Sequence, residues 1–145
     1  MVLQVSPIST TVSLLMQQDE TSGVQNFLNA AAASGQIAYF DHGAYVIGDT
    51  INVPINLKIT GEIFPLIMVS GPNFQDQFNP RVAWRVGNPG EVGSVEMSEL
   101  VFETRGPCPG AIMVQWNIKG SSPGATGMWD SHFRIGGTAG TLLQR

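Results

Sequence analysis

The chain is poor in charge: only 12% of its 145 residues are Asp, Glu, Lys or Arg, about half of the ~25% usual in globular proteins. Basic residues are the scarcest, seven Lys and Arg against eleven Asp and Glu, for a formal net charge of −4. Binding to nucleic acid draws much of its affinity from cations that neutralise phosphates, so the reading contains no nucleic-acid partner. A single cysteine, Cys108, permits no internal disulfide, and cysteine usage therefore leaves the compartment open. Within Gly106-Pro107-Cys108-Pro109-Gly110 it reads as a loop thiol, since no nearby His or cation is at hand to activate it. No stretch approaches the ~18 uninterrupted apolar residues of a membrane helix, and the reading contains no membrane partner. From Met1 to Gln17 no Lys or Arg precedes an apolar run, and Gln4, Ser6, Pro7, Ser9, Thr10, Thr11 and Ser13 interrupt what there is, so no signal peptide is visible. His42 and His132 stand far apart with no cysteine partner and no HExxH spacing, and calcium-loop spacing is missing. The reading therefore contains no metal and no cofactor. Gly-x-Ser-x-Gly elbows and phosphate-binding Gly-Lys-Thr loops are missing too, which leaves hydrolase triads and nucleotide use without support.

What the chain does contain is 43% hydrophobic residues, 17 Gly and 9 Pro, enough apolar surface for a real core broken into many short elements. One segment has a helical period. After the candidate N-caps of Asp19-Glu20-Thr21-Ser22, Val24, Phe27, Leu28 and Ala31 fall at i, i+3, i+4 and i+7, and Gly35 closes the run. This predicts an amphipathic helix over Thr21 to Ser34. After Gln36 the chain reads as strands: Ile37 to Phe40, Ala44 to Ile47, Thr50 to Val53, Leu57 to Ile59, Ile63 to Val69, Val82 to Val86, Val95 to Phe102, Ala111 to Ile118 and Met128 to Ile135.

Several of these share a phase slip. In Val95 to Phe102, Val95 and Met97 alternate inward, Ser98-Glu99 break phase, and Leu100 and Phe102 resume inward, as in a strand that turns a corner. Overlaying the repeats places Glu62, Glu99 and Asp130 at equivalent bends and turns Phe133 inward. Spacings of this size fall within the ~20 to 45 residues per repeat of solenoids. The pattern predicts a mainly β fold, a parallel β solenoid capped by the helix. An antiparallel sandwich is the alternative, but no Asn-Gly or Asp-Gly hairpin turn separates the alternating runs.

Longer words carry a resemblance. Val24-Gln25-Asn26-Phe27-Leu28-Asn29-Ala30-Ala31-Ala32-Ala33, Tyr39-Phe40-Asp41-His42-Gly43-Ala44-Tyr45, Gly61-Glu62-Ile63-Phe64-Pro65-Leu66-Ile67-Met68 and Gly127-Met128-Trp129-Asp130-Ser131-His132-Phe133-Arg134-Ile135-Gly136-Gly137 occur in that order. Together they closely resemble the fungal family 55 glycoside hydrolases, exo-acting β-1,3-glucanases, over about Asp19 to Gln144. The resemblance implies a right-handed parallel β-helix of the pectin lyase-like kind, inverting hydrolysis of glucan, and secretion. It further implies a much longer parent with two tandem β-helix domains, of which this chain matches the first part of the second. In that family the general acid, a glutamate, lies further downstream, and residues that position the attacking water come from the first domain. The implied division is a divergent segment 1–18, a capping helix 19–35 and a partial β-helix 36–145. Enzymes with this cap helix usually precede it with Gly-Asp-Gly and paired Asp, where this chain has Met16-Gln17-Gln18-Asp19-Glu20.

The expected function is thus a piece of a β-1,3-glucan hydrolase, inactive alone, with a non-catalytic carbohydrate-binding or structural β-helix module as the alternative. A polysaccharide lyase on the same architecture is disfavoured by seven cations in an acidic chain. Trp116, Asp130 and His132 are the candidate substrate-binding residues. A carboxylate and an imidazole hydrogen-bond sugar hydroxyls, and an indole stacks on pyranose C–H groups. His132 and Arg134 are expected to point outward together beside Trp129, with an Arg134–Asp130 pair as the plainer reading. No catalytic residue is assigned: Glu96, Glu99 and Glu103 read as acids solvating an outward face, Glu62 as a carboxylate bonding the backbone of the next coil, and His42 as a turn residue. Exposed coil edges are expected to favour end-to-end self-association.

Overall fold

The computed structural model describes residues 1–5 and 18–135. Among them the chain is mainly β with one α-helix. In chain order the elements are β1 (Val2–Val5), α1 (Thr21–Ser34), β2 (Ile37–Phe40), β3 (Ala44–Ile47), β4 (Ile51–Val53), β5 (Leu57–Gly61) and β6 (Leu66–Val69). A 3-10 turn (Pro72–Phe74) follows, then β7 (Arg81–Val86), β8 (Val92–Gly93), β9 (Val95–Ser98), β10 (Val101–Thr104), β11 (Ala111–Trp116), β12 (Lys119–Gly120), β13 (Thr126–Trp129) and β14 (His132–Arg134). Expectations for residues 6–17 and 136–145, including most of the segment 1–18, lie outside the described residues.

Every strand pairing among the described residues is parallel. The strands sort into sheet A (β1-β2-β5-β9-β13), sheet B (β3-β6-β10-β14), sheet C (β4-β7-β11) and a small β8–β12 ladder. The chain visits A, B and C in that order and then returns to A. Each circuit therefore lays one strand on each sheet: Val95 lies between Leu57 and Thr126, Val101 between Leu66 and His132, and Trp84 between Ile51 and Val114. An antiparallel sandwich needs neighbours of opposite direction, and none occurs among the described strands.

Helix α1 forms where the apolar period placed it, with Val24, Phe27, Leu28 and Ala31 buried. It ends at Gly35, whose φ of +63° lets its N–H reach the carbonyl of Ala32 while Gln36 N–H reaches that of Ala31. At the other end Asp19 Oδ1 accepts the Thr21 N–H at 2.9 Å, the Thr21 hydroxyl, and the Gly48 N–H at 3.2 Å. Burial opposes the charge on Asp19, but these hydrogen bonds outweigh it and hold its carboxyl below the usual carboxylate range. The helix lies against β4, β2, β1 and β3. Its Gln25 side chain donates to the Asn52 carbonyl at 2.9 Å and accepts the Asn52 N–H at 2.7 Å. The amide thus does for β4 what a neighbouring strand would do.

Rings link the interior from end to end. Centroids run Phe27 to Phe40 at 5.3 Å, Phe40 to Trp84 at 6.4 Å, Trp84 to Phe102 at 5.7 Å and Phe102 to Phe133 at 5.5 Å. The Trp84 indole N–H, fully buried, donates to Met97 Sδ at 3.3 Å, so the polar edge of the ring is satisfied within the core. Tyr45, on β3, places its hydroxyl 2.8 Å from the Val5 carbonyl and 3.0 Å from that of Asp41. Burial, with the charges of Asp41 and Glu20, pushes that hydroxyl well above the ordinary tyrosine value. The contact helps to seat β1, a strand the sequence analysis did not anticipate.

Two expectations about the stack are corrected. First, Thr60 pairs with Ser98, which puts Gly61, not Glu62, opposite Glu99 at the corner between sheets A and B. A Cβ on Gly61 would lie 2.4 Å from the Glu99 carbonyl oxygen and from Pro65 Cδ. Glu62 is exposed, and it is its backbone N–H, bonded to the Phe40 carbonyl at 2.8 Å, that joins a neighbouring circuit. Second, Ile63 does not open a strand. Ile63 and Phe64 take φ of +52° and +57° in the turn before Leu66, a conformation that leaves the sheet. Phe133 turns inward as expected, in register with Phe102 and stacked on it; it is nonetheless 45% exposed, because no described strand covers the far side of β14. Met97, Leu100 and Phe102 are buried as expected.

Candidate functional site

The corner between sheets A and B carries two of the candidate residues. Trp129 ends β13, Asp130 turns the chain at a φ of +46°, and His132 begins β14. The preceding circuit turns at Glu99, φ +58°. Positive φ is uncommon outside glycine and best tolerated by Asn and Asp, so the two-residue corner selects Asp130 locally. Ser131 locks it: its hydroxyl donates to the Trp129 carbonyl at 3.0 Å and accepts the Leu100 N–H at 3.3 Å, while His132 N–H reaches the Leu100 carbonyl at 2.9 Å.

Asp130 and His132 are both exposed, on either side of this lock. The His132 ring meets Phe64 edge-on, centroids 5.3 Å apart at 60°. Phe64, 41% exposed, reaches it from the β5–β6 turn, where His42 Nδ1 donates to the Ile63 carbonyl at 3.1 Å. Phe64 is a site residue that sequence reasoning missed, because Ile63 to Val69 reads as one apolar run. The signal was Pro65, which constrains the residue before it and has no N–H for a ladder.

Arg134 does not join Asp130. Its Nε bonds Glu103 Oε2 at 2.6 Å and its Nη2 contacts the same oxygen. Glu103 is 2% exposed, not a solvated acid, since its row on sheet B, Val46-Met68-Glu103, is buried. Glu103 Oε1 has no hydrogen-bond partner among the described residues. Glu96 does face outward, paired with Lys58 at 2.9 Å. Trp116 lies elsewhere: on β11 it follows Val53 and Val86 along the inward row of sheet C, partly buried against the core. The structure therefore places Asp130 and His132 at one corner with Phe64 against His132, and leaves Trp116 on another sheet.

This corner offers carboxylate and imidazole hydrogen-bonding groups beside the half-exposed Phe64 ring, which suits a polyhydroxylated ring with an apolar face. Glu99 and Asp130 are exposed, without the apolar burial that sets a glycosidase general acid apart. Among the described residues no three His, Cys, Asp or Glu converge as a metal site requires. Cys108 is partly buried, and burial pushes its thiol above the ordinary value, away from the thiolate a nucleophile needs. A second concavity of about 670 Å³ lies between α1 and β4 and is lined by amides and hydroxyls, among them Gln25, Asn26, Asn29, Asn52 and Asn88, with Glu91.

No family model matches the chain. It is 53% identical over 126 residues to a protein of Arthroderma benhamiae named "Probable glucan endo-1,3-beta-glucosidase", covering 87% of this chain and 14% of that one. It is 44% identical over 126 residues to the "Glucan 1,3-beta-glucosidase" of Cochliobolus carbonum, covering 87% and 16%. A "Non-secreted LysM effector" of Penicillium expansum is 43% identical over 126 residues, covering 87% and 10%. The chain is thus related to a portion of proteins named as glucan 1,3-beta-glucosidases, and spans roughly a tenth to a sixth of the length of these relatives.

Proposed function

We propose that the chain is a piece of a fungal β-1,3-glucan hydrolase of family 55, in which α1 caps the first circuits of a right-handed parallel β-helix covering 36–145. The observation that carries this reading is the 53% identity over 126 residues to a protein named for 1,3-β-glucan hydrolysis. The parallel circuits of sheets A, B and C accord with it. Exo action with inversion follows the family resemblance; the relatives' names include both an endo-glucosidase and a glucosidase without that prefix. On this reading Asp130 and His132 contact sugar hydroxyls at the A/B corner, and the acid and the water-positioning groups belong to other parts of a secreted parent.

The chain alone is then inactive. Inversion needs a positioned acid and a positioned water across a gap of about 6.5–9.5 Å, and losing either removes the geometry that makes the step effectively unimolecular. Incubation with laminarin should release no glucose; turnover abolished by Glu99→Gln would move the active site into this chain and overturn the reading. A second reading, a non-catalytic carbohydrate-binding module, is favoured by the relative named as a LysM effector. The parent reading frame separates the two: continuation into further circuits bearing the catalytic glutamate supports the hydrolase. Self-association through the edges of β11, β13 and β14 that no described strand covers is part of the same proposal, and sedimentation across a concentration series tests it.

A further inference from the structure

Gly127 and Trp129 lie two residues apart on β13, so both face outward from sheet A. A Cβ on Gly127 would stand 2.6 Å from Trp129 Cη2 and 2.7 Å from Cζ2. The indole is therefore folded back along its own strand, its six-membered ring beside Gly127 in a place only glycine leaves free. Trp129 is 47% exposed, so much of the side chain is open to solvent. A Trp serving the core would turn inward with Met128, and one serving the corner would turn toward His132; this one is laid down as a surface.

The register extends that surface across the sheet. Trp129 pairs with Ser98, Ser98 with Thr60 and Thr60 with Tyr39, and the Ser98 hydroxyl donates to that of Thr60 at 3.0 Å. With strands about 4.8 Å apart, Tyr39 stands three steps, roughly 14 Å, from Trp129. The neighbouring outward row holds Lys58 and Glu96, which neutralise each other at 2.9 Å, with Glu96 in register with Gly127. The face thus presents an exposed aromatic ring, two hydroxyls, a second aromatic and one neutralised ion pair, and its rim is acidic: burial and the nearby charges of Glu62, Asp41 and Glu99 push the Tyr39 hydroxyl above its ordinary value.

We propose that the outward face of sheet A is a stacking platform for a neutral β-linked polysaccharide lying across the strands. One pyranose packs its C–H face on the Trp129 ring beside Glu96, hydroxyls of the next sugars meet the Glu96–Lys58 pair and the neighbouring Ser98 and Thr60 hydroxyls, and Tyr39 bounds the far end. The carboxylates along the rim of this face repel a polymer carrying uronate or sulfate groups and leave a neutral one. The polymer's identity as β-1,3-glucan rests on the function proposed above; the platform's geometry does not.

The test is sedimentation of the whole chain with insoluble β-1,3-glucan and, separately, with cellulose. It compares wild type, Trp129→Ala, Trp129→Phe, Gly127→Ala and His132→Ala, each confirmed as folded by its melting transition. Trp129→Ala should weaken binding about tenfold, the scale of one stacked ring, Trp129→Phe should retain most of it, and Gly127→Ala should weaken it by lifting the indole. Binding should blue-shift tryptophan emission in the wild type and not in Trp129→Phe, a readout that does not require Trp129→Ala to fold. If β-1,3-glucan binds and only His132→Ala matters, the platform is wrong while the glucan reading stands. If cellulose alone binds, through Trp129, the platform stands and the glucan reading falls. If the wild type retains neither polymer, the platform is overturned.

Discussion

Phe102 meets Trp84 on one side and Phe133 on the other, and is 1% exposed. Removing its ring leaves a void between two rings that are fixed by their own strands, so Phe102→Ala should cost about 3–5 kcal/mol, read from urea unfolding. Glu103 sets a different test. Arg134→Ala strands a buried carboxylate, whereas Glu103→Gln removes the charge that needed a cation, so Arg134→Ala should be the more destabilising of the two, measured in the same way. The burial of Glu103 was not legible in the sequence. Its cation lies 31 residues on, in the next circuit, and an acid two places past a corner looks like any solvated acid until the register is known.

Two other carboxylates tie stability to pH. Burial opposes the charge on both Asp19 and Asp49. Hydrogen bonds from Thr21 and Gly48 to the first, and from Thr50 and Arg81 to the second, nonetheless hold each below its ordinary value of 3.8. In the window between the folded and unfolded values the unfolded chain binds more protons, so this stabilisation is full above about pH 4 and is lost as pH falls through the lower folded values. Both groups are largely solvated, which keeps the effect small. The melting temperature should decline from pH 6 to pH 3, and less so in Asp19→Asn.

At the scale of elements, α1 was legible because burial and period coincide: Val24, Phe27, Leu28 and Ala31 are the apolar stripe and also the buried set. Gly35 completes it. Its Cβ position is empty of neighbours, so Gly35→Ala should cost only the left-handed backbone penalty, about 1–2 kcal/mol, seen as a lower urea midpoint at unchanged slope. Gly61→Ala should be worse, since there the added atom collides with the Glu99 carbonyl. The corner at Glu99 was legible as a phase slip, because two residues between strands leave both flanking alternations intact. The β5–β6 turn was not: between the positions paired with Ser98 and Val101 it is three residues longer than the Glu99 corner, and its apolar content hides the break.

For the molecule as a whole, the succession of short strands implied stacked parallel circuits, and every described pairing is parallel. Which sheet a given side chain faces was harder to read. Trp116 and Asp130 both fall inside strands as read from the sequence, yet one closes the inward row of sheet C and the other turns the A/B corner. That assignment depends on how many strands each circuit holds, which local pattern does not encode.

The pairing of Gln25 with Asn52 also bears on how the stack breathes. Among the described strands β4 is the outermost of sheet C, where an amide would ordinarily trade its proton with water through local fraying. A side-chain carbonyl occupies the Asn52 N–H, so that proton can leave only when α1 lifts away. Deuterium uptake at Asn52 thus becomes a clock for undocking of the helix, slow in the wild type and fast in Gln25→Ala, on a strand that the sheet itself leaves unguarded.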